Sequence, residues 1–253
     1  MMSLTSIERP VKMRDRNRDR KTRAEKRKDI LMKSRFRQLG CGKGESMSIK
    51  IDCIRVGMLE TNCYMVYDEE IKEAIITDPG DNGDFIIECI EERGVTPVAI
   101  LLTHGHGDHI FAIPALREKY DLPVYVHELD EPMLENGRFN LSSYSIPLEE
   151  KDIRLKGGEE LTIGGMRIKV LFTPGHTPGG VCYYFEDAGF VLSGDTMFYR
   201  SWGRTDFPGG SEQDLMRSLL KLMEELPPET IVYPGHEMAT KIADERRMHG
   251  LDR

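Results

Sequence analysis

Apolar and polar residues alternate sharply from residue 47 onward. Met47-Ser48-Ile49-Lys50-Ile51-Asp52 reads with a period of two and predicts a strand over Ser48–Ile54. Asn62–Tyr67 and Glu73–Thr77 are two more short strands, rich in Ile, Val, Tyr and Cys, and Asp78-Pro79-Gly80-Asp81 is a turn. Phe85, Ile86, Cys89 and Ile90 recur at helical spacing, so Asp84–Arg93 is a helix stopped by Gly94. Pro97–Thr103 is a continuous apolar run of strand length, the signature of a strand buried on both faces. A short helix over Ile110–Tyr120, with Pro114 in its early part, and a strand over Val124–His127 follow.

Residues 128–158 have no period and read as irregular. Glu160–Ile163 and Met166–Phe172 flank Gly164-Gly165, a hairpin signal. Val181–Phe185 and Phe190–Leu192 are strands. Ser211, with Asp214 three residues on, opens a helix reaching Leu226. Thr230–Tyr233 is a last strand and Ala239–Met248 a last helix. No solenoid-type repeat occurs. Both halves place strands before strand–helix units, which suggests two stacked sheets with helices outside.

Composition narrows the class. The chain has 253 residues, 39% of them hydrophobic, enough for a real core in one large or two small domains. No run approaches eighteen apolar residues, so no membrane span is expected. The net charge of −8 conceals an asymmetry. Residues 1–46 hold 15 Lys and Arg against 6 Asp and Glu, whereas residues 47–253 hold 20 against 37. The acidic body argues against a nucleic-acid partner for the main domain. The basic head cannot bury enough surface to order itself. Residues 1–46 are therefore expected to be a disordered extension or an over-extended start, with Met47 the true first residue and 47–253 the catalytic domain. Five cysteines (Cys41, Cys53, Cys63, Cys89, Cys182) are odd in number and widely spaced, without a CxxC pair. They suggest buried thiols in a reducing compartment, hence a cytoplasmic location. Gly42-Lys43-Gly44 lacks the spacing of a phosphate-binding loop.

The chemistry lies in the histidines. Thr103-His104-Gly105-His106-Gly107-Asp108-His109 directly follows the buried run that ends at Leu102. Imidazole nitrogen and carboxylate oxygen suit zinc, manganese or iron. The interposed glycines are expected to let the backbone turn tightly. Asp108 and His109 cannot share a face with His104 and His106 in regular structure, so a turn aiming each pair at a different metal is expected. Three further loops each offer one donor just past a strand: Pro174-Gly175-His176, Ser193-Gly194-Asp195 and Pro234-Gly235-His236. Loops converging at one edge of a sheet assemble sites of this form.

This set of motifs resembles the metallo-β-lactamase superfamily over about residues 50–240, and within it the short glyoxalase II-like hydrolases. Asn62-Cys63-Tyr64, Asp78-Pro79-Gly80, Gly194-Asp195-Thr196-Met197-Phe198 and Gly203-Arg204-Thr205-Asp206-Phe207-Pro208-Gly209-Gly210 all look like that subgroup. The resemblance implies an α+β fold, a four-layer αββα sandwich with the site at one edge of its sheets. It implies two divalent metal ions, zinc by preference and iron or manganese as alternatives. His104, His106 and His176 would hold the first, and Asp108, His109 and His236 the second. Asp195 would bridge both, Asp108 and Asp195 being the catalytic carboxylates around a bridging hydroxide. Asp78 would hold a ligand by hydrogen bonds, with Thr103 and, more weakly, Thr196 in the same role. Arg204 and Asp206 are read as an ion pair shaping the pocket wall, with contact to an acidic substrate as the alternative for Arg204, and His127 and His249 as unconnected with the metals.

The implied reaction is hydrolysis of a small thioester or related acyl ester, so the expected partner is a small molecule. The sequence says nothing of oligomeric state. It ends seventeen residues after His236, without the helical extension that long glyoxalase II proteins use to hold glutathione. Asp195 stands where the best-known zinc lactamases have cysteine, which argues against lactam hydrolysis. The rival is a persulfide dioxygenase of the same fold, with one iron held by His176, Asp195 and either His104 or His106. A metal domain without catalysis is the third reading.

Overall fold

The computed structural model describes residues 36–39 and 48–251, apart from residue 143. Residues 1–35, Cys41, the Gly42-Lys43-Gly44 stretch and Met47 lie outside the described residues.

The first sheet has seven strands in chain order: β1 (Phe36–Leu39), β2 (Ile49–Val56), β3 (Thr61–Asp68), β4 (Glu73–Thr77), β5 (Thr96–Leu101), β6 (Val124–His127) and β7 (Ile153–Leu155). Neighbours from β1 to β4 are antiparallel, and those from β4 to β7 are parallel. Parallel neighbours need crossovers. Helix α1 (Gly83–Arg93) links β4 to β5, and α2 (Ile113–Tyr120) links β5 to β6. The short helix α3 (Glu131–Glu135) begins the passage from β6 to β7.

The second sheet has six strands, β8 (Glu160–Ile163), β9 (Met166–Phe172), β10 (Val181–Phe185), β11 (Phe190–Gly194), β14 (Ile231–Pro234) and β15 (Thr240–Lys241). Strands β8 to β11 form an antiparallel meander. Strand β14 lies parallel to β11, and helix α4 (Glu212–Glu225) makes the crossover. A small ribbon, β12 (Met197–Phe198) with β13 (Ser201–Trp202), precedes α4, and α5 (Ile242–Met248) follows β15.

Side-chain alternation turns these sheets into layers. On β3 every position is buried, with Tyr64 and Val66 facing one way and Cys63, Met65 and Tyr67 the other. Tyr64 and Val66 join Ile49, Ile51 and Ile75 against Ile168, Val170, Tyr183 and Phe190 of the second sheet. The opposite face of the first sheet packs on Ile86, Cys89 and Ile90 of α1 and Leu116 of α2. The outer face of the second sheet, with Tyr184, Val191 and Val232, packs on Leu215, Leu219 and Leu222 of α4. Three apolar cores thus separate four layers, an αββα sandwich. A fully buried Ile, Leu or Phe contributes about 1.5–3 kcal/mol, and a slip of one residue would exchange two cores, so the register of the central strands is tightly held.

Several details depart from the sequence reading. The helix expected from Ile110 starts at Ile113, because Gly107–His109 forms a 3-10 turn; Pro114 then sits in the first turn, where its missing N–H costs nothing. The helix expected from Ala239 starts at Ile242, because Thr240 and Lys241 first pair with β14. The stretch 128–158 contains α3 and β7, both too short to show a period. The first sheet reaches back beyond the expected boundary at residue 47, since β1 pairs with β2 from Phe36↔Ile54 to Leu39↔Ile51. That pairing covers an edge that β2 would otherwise leave open. Gly164 and Gly165 have φ of 56° and 73° in the β8–β9 hairpin, and the Ser211 hydroxyl accepts the Asp214 N–H at the start of α4.

Candidate metal centre

Strands β4, β5, β9, β11 and β14 all end at one edge of the sandwich, and each delivers polar side chains there. Strand β5 leads into His104 and His106, and the 3-10 turn brings round Asp108 and His109. Neither Gly105 nor Gly107 has a positive φ. Space, rather than the tight turn expected from sequence, requires glycine at these two positions. A Cβ at 105 would lie 2.8 Å from that of Met133, and one at 107 would lie 2.4 Å from the Phe111 ring. The loop after β9 carries His176, the residue after β11 is Asp195, and the loop after β14 carries His236.

All seven expected ligands meet. Potential donor atoms of three overlapping trios lie within 4.8 Å of one another: His104, His106 and His176; His104, His109 and Asp195; Asp108, His109 and His236. His106 Nδ1 is 2.9 Å from His176 Nε2. Asp195 stands between the outer trios, with Oδ1 3.5 Å from His109 Nε2 and Oδ2 3.5 Å from His176 Nε2 and 3.6 Å from His236 Nε2. Asp108 Oδ2 is 3.2 Å from His236 Nε2 and accepts a 3.2 Å bond from the Thr61 hydroxyl.

The outer nitrogens are held by partners that aim the inner ones. His176 Nδ1 donates to the Arg204 carbonyl at 2.7 Å, and His236 Nδ1 to the Leu59 carbonyl at 3.2 Å. His104 Nδ1 lies 3.1 Å from the Thr103 hydroxyl. Asp78 accepts both the Thr103 N–H (2.8 Å) and its hydroxyl (2.7 Å), and its Oδ2 lies 3.1 Å from His109 Nδ1. Thr196 contacts the Thr173 hydroxyl at 3.2 Å instead. His127 is buried away from the cluster, stacked on Phe172 with ring centroids 4.5 Å apart, and His249 is exposed.

Burial and charge divide the centre in two. Burial, reinforced by neighbouring imidazoles, lowers His104 well below the usual histidine range and His106 to about 3. Burial opposes charge on His109 as well, but Asp108, Asp195 and Asp78 outweigh it and raise that histidine to about 10. Asp108 is pushed down because His109 and His236 overcome the cost of its burial. One side is therefore a nest of neutral imidazoles, and the other pairs the Asp108, Asp195 and Asp78 carboxylates with His109 and His236. His104 Nε2, His106 Nε2 and Asp195 Oδ1 are buried without a hydrogen-bond partner among the described residues. Orphaned lone pairs of this kind are costly unless a cation takes them up. The residues present fit divalent metal ions.

One residue of the site went unread in the sequence. Asp130, 0% exposed at the start of α3, accepts the Gly105 N–H (3.0 Å), the Thr177 hydroxyl (2.7 Å) and the Gly179 N–H (2.6 Å). It ties the His104–His106 loop to the His176 loop. A lone aspartate in an aperiodic stretch gives no signal of this in sequence.

The sequence model of the family described as the metallo-beta-lactamase superfamily matches residues 56–236, the span that holds every one of these ligands. The chain belongs to this superfamily. Among its relatives, the protein named probable metallo-hydrolase YqgX of Bacillus subtilis strain 168 is 40% identical over 195 residues, covering 76% of this chain and 92% of its own. The hydroxyacylglutathione hydrolase GloC of Haemophilus influenzae is 32% identical, covering 79% and 96%. Among solved structures, the BLEG-1 B3 metallo-beta-lactamase superposes with a TM-score of 0.73 at 38% identity, over 78% of this chain and 96% of its own. TTHA1623 in a di-iron-bound form gives 0.69 at 37%, over 78% and 97%. ETHE1 from Myxococcus xanthus gives 0.63 at 31%, over 84% and 82%. As a superfamily member the chain is a metal-binding hydrolase. No helix among the described residues is long and apolar enough to cross a membrane.

Proposed function

We propose that the protein hydrolyses a small thioester or related acyl ester at a dinuclear centre. The observation that carries this reading is the second complete trio, Asp108, His109 and His236, beside the first, His104, His106 and His176. A mononuclear dioxygenase of the same fold would carry the same motifs but load a single ion on His176, Asp195 and one of His104 and His106, so the number of metals bound per chain separates the two readings. Asp195 lies between the trios and would touch both ions. Two divalent cations held by these residues, zinc, iron or manganese, would supply Lewis acidity to activate water and polarise the scissile carbonyl.

The chain's own residues do the rest. Asp78 and Thr103 fix His109 and His104, and the Arg204 and Leu59 carbonyls fix His176 and His236. Asp130 holds the two histidine loops in register. Among the described residues, the histidines that meet at the centre are all assigned to metals and none is left over as a general acid. A thioester suits such a site because a thiolate leaves without much help from one. The similarity to GloC supports this chemistry. The neighbour named a lactamase shares 38% identity, so the absence of cysteine at position 195 does not by itself set lactams aside.

The test is thiol release from S-lactoylglutathione and simpler thioesters by protein loaded with zinc, manganese or iron, run beside a penicillin and beside oxygen uptake with glutathione persulfide. Thioester turnover supports the proposal. Stoichiometric oxygen consumption by the iron form, with no thioester cleaved under any metal, replaces it with the dioxygenase.

A further inference from the structure

A cleft of about 570 Å³ opens over the metal centre. Its walls away from the ligands are built largely from Leu59, Phe111, Leu141, Phe198, Trp202 and Phe207. Leu59, Leu141 and Trp202 remain 65%, 46% and 40% exposed, so this carbon surface faces solvent rather than the core. The Phe207 ring lies 5.7 Å from that of His106, and the Phe198 ring 6.3 Å from that of His236. Apolar walls therefore flank both trios. A continuous exposed apolar lining beside convergent polar groups is the ordinary form of a small-molecule site.

The same walls are poor in positive charge. Among the described residues, Arg204 is the one Lys or Arg on the lining of the cleft. Its guanidinium is held by both Asp206 oxygens at 2.6 Å and lies 4.2 Å over the Phe207 ring, so it works as a flat lid on that ring. Glu237 adds a negative charge to the rim. With 37 acidic against 20 basic residues in 47–253, the protein surface beyond the metal ions also opposes an anionic group held away from the centre.

We infer that the cleft selects an uncharged, apolar substrate, its acyl group a short aliphatic chain or a phenyl ring packed on the apolar lining that includes Phe207 and Trp202, and disfavours an anionic thiol such as glutathione. The inference rests on the hydrolase reading for its chemistry, but the selectivity can be measured without turnover. Trp202 is the only tryptophan in the chain, so its fluorescence reports on this cleft.

Two arms test it. In the first, acetyl, butyryl, hexanoyl and phenylacetyl thioesters of N-acetylcysteamine are compared with S-lactoylglutathione on the metal-loaded protein. The hexanoyl thioester is expected to exceed the acetyl one in kcat/KM by at least about tenfold, well under the ceiling for burying four methylenes. S-lactoylglutathione is expected to fall below the hexanoyl thioester, and Phe207→Ala to flatten the chain-length gradient. In the second arm, the hexyl thioether of N-acetylcysteamine is titrated against Trp202 emission beside glutathione. A saturable change with the thioether, and none with glutathione at the same concentration, supports the inference. Cleavage with a flat gradient, or with S-lactoylglutathione preferred, overturns it while leaving the hydrolase standing. Saturable thioether binding without cleavage of any thioester does the reverse.

Discussion

Asp130 accepts a 2.7 Å hydrogen bond from the Thr177 hydroxyl, across 47 residues of chain, and so latches the loop of His176 to the loop of His104 and His106. Its carboxylate is buried, and burial raises its pKa against the three bonds that favour the charge. Replacement by alanine would leave the N–H groups of Gly105 and Gly179 and the Thr177 hydroxyl without their acceptor. Each orphaned buried group costs about 1–3 kcal/mol, so Asp130→Ala is expected to lose at least about 3 kcal/mol in urea unfolding. Metal content should fall with it. A variant within about 1 kcal/mol of the parent and fully loaded would show that the latch is idle.

Asp130 also marks how far the sequence could be read. The clustering of the candidate ligands was legible because several follow a strand whose apolar run announces them: Leu101 and Leu102 before His104, Phe172 before His176, Leu192 before Asp195. Layering was legible for the same reason, since period-two strands alternate with period-3.6 helices. Asp130 has no such frame, lying between a four-residue strand and a five-residue helix. The reason for glycine at 105 and 107 was hidden too, because the side chains that exclude a Cβ, Met133 and Phe111, take their places only through tertiary packing.

Metal loading should depend on Asp195 more than folding does. Asp195 Oδ2 is near His176 and His236, one from each outer trio, and Oδ1 is near His109. The three apolar cores lie elsewhere and do not include it. Asp195→Ala and His106→Ala are each expected to lower the metal bound per chain and abolish hydrolysis, with the far-ultraviolet spectrum unchanged. Chelation of the parent protein should do the same, reversibly. Unchanged metal stoichiometry with full turnover in Asp195→Ala would remove it from the centre.

A chain beginning at Met47 tests the proposed domain boundary. It would lack β1, which contributes backbone pairing to one edge of β2. Strand β2 keeps its pairing with β3 from Ile49↔Asp68 to Val56↔Thr61, and every candidate ligand lies at or beyond residue 104. Turnover and metal content are expected to stay within about twofold of the full chain, and any loss of stability should be small beside that of a core deletion. A drop in metal content on truncation would place the basic head in the working enzyme.

Gly235→Ala is the most selective probe of the site, because it intrudes on the centre while sparing the fold. Gly235 is not among the glycines with positive φ, so alanine meets no backbone strain there. The obstacle is space: a Cβ at 235 would lie 2.3 Å from Asp195 Oδ1 and 2.8 Å from His109 Cε1. The backbone cannot retreat easily, since the Gly235 N–H donates to the Gly194 carbonyl at 2.8 Å and its carbonyl accepts the Asn62 N–H at 2.7 Å. The methyl group must therefore displace Asp195 or His109. A shift of about an ångström in a reacting group costs on the order of a hundredfold in rate, and Gly235→Ala is expected to lose at least that in kcat together with part of its metal. The melting temperature of the metal-free variant should stay within a few degrees of the metal-free parent, which separates damage to the centre from damage to the sandwich. Parental turnover in Gly235→Ala would mean that neither Asp195 nor His109 is held where the geometry puts it.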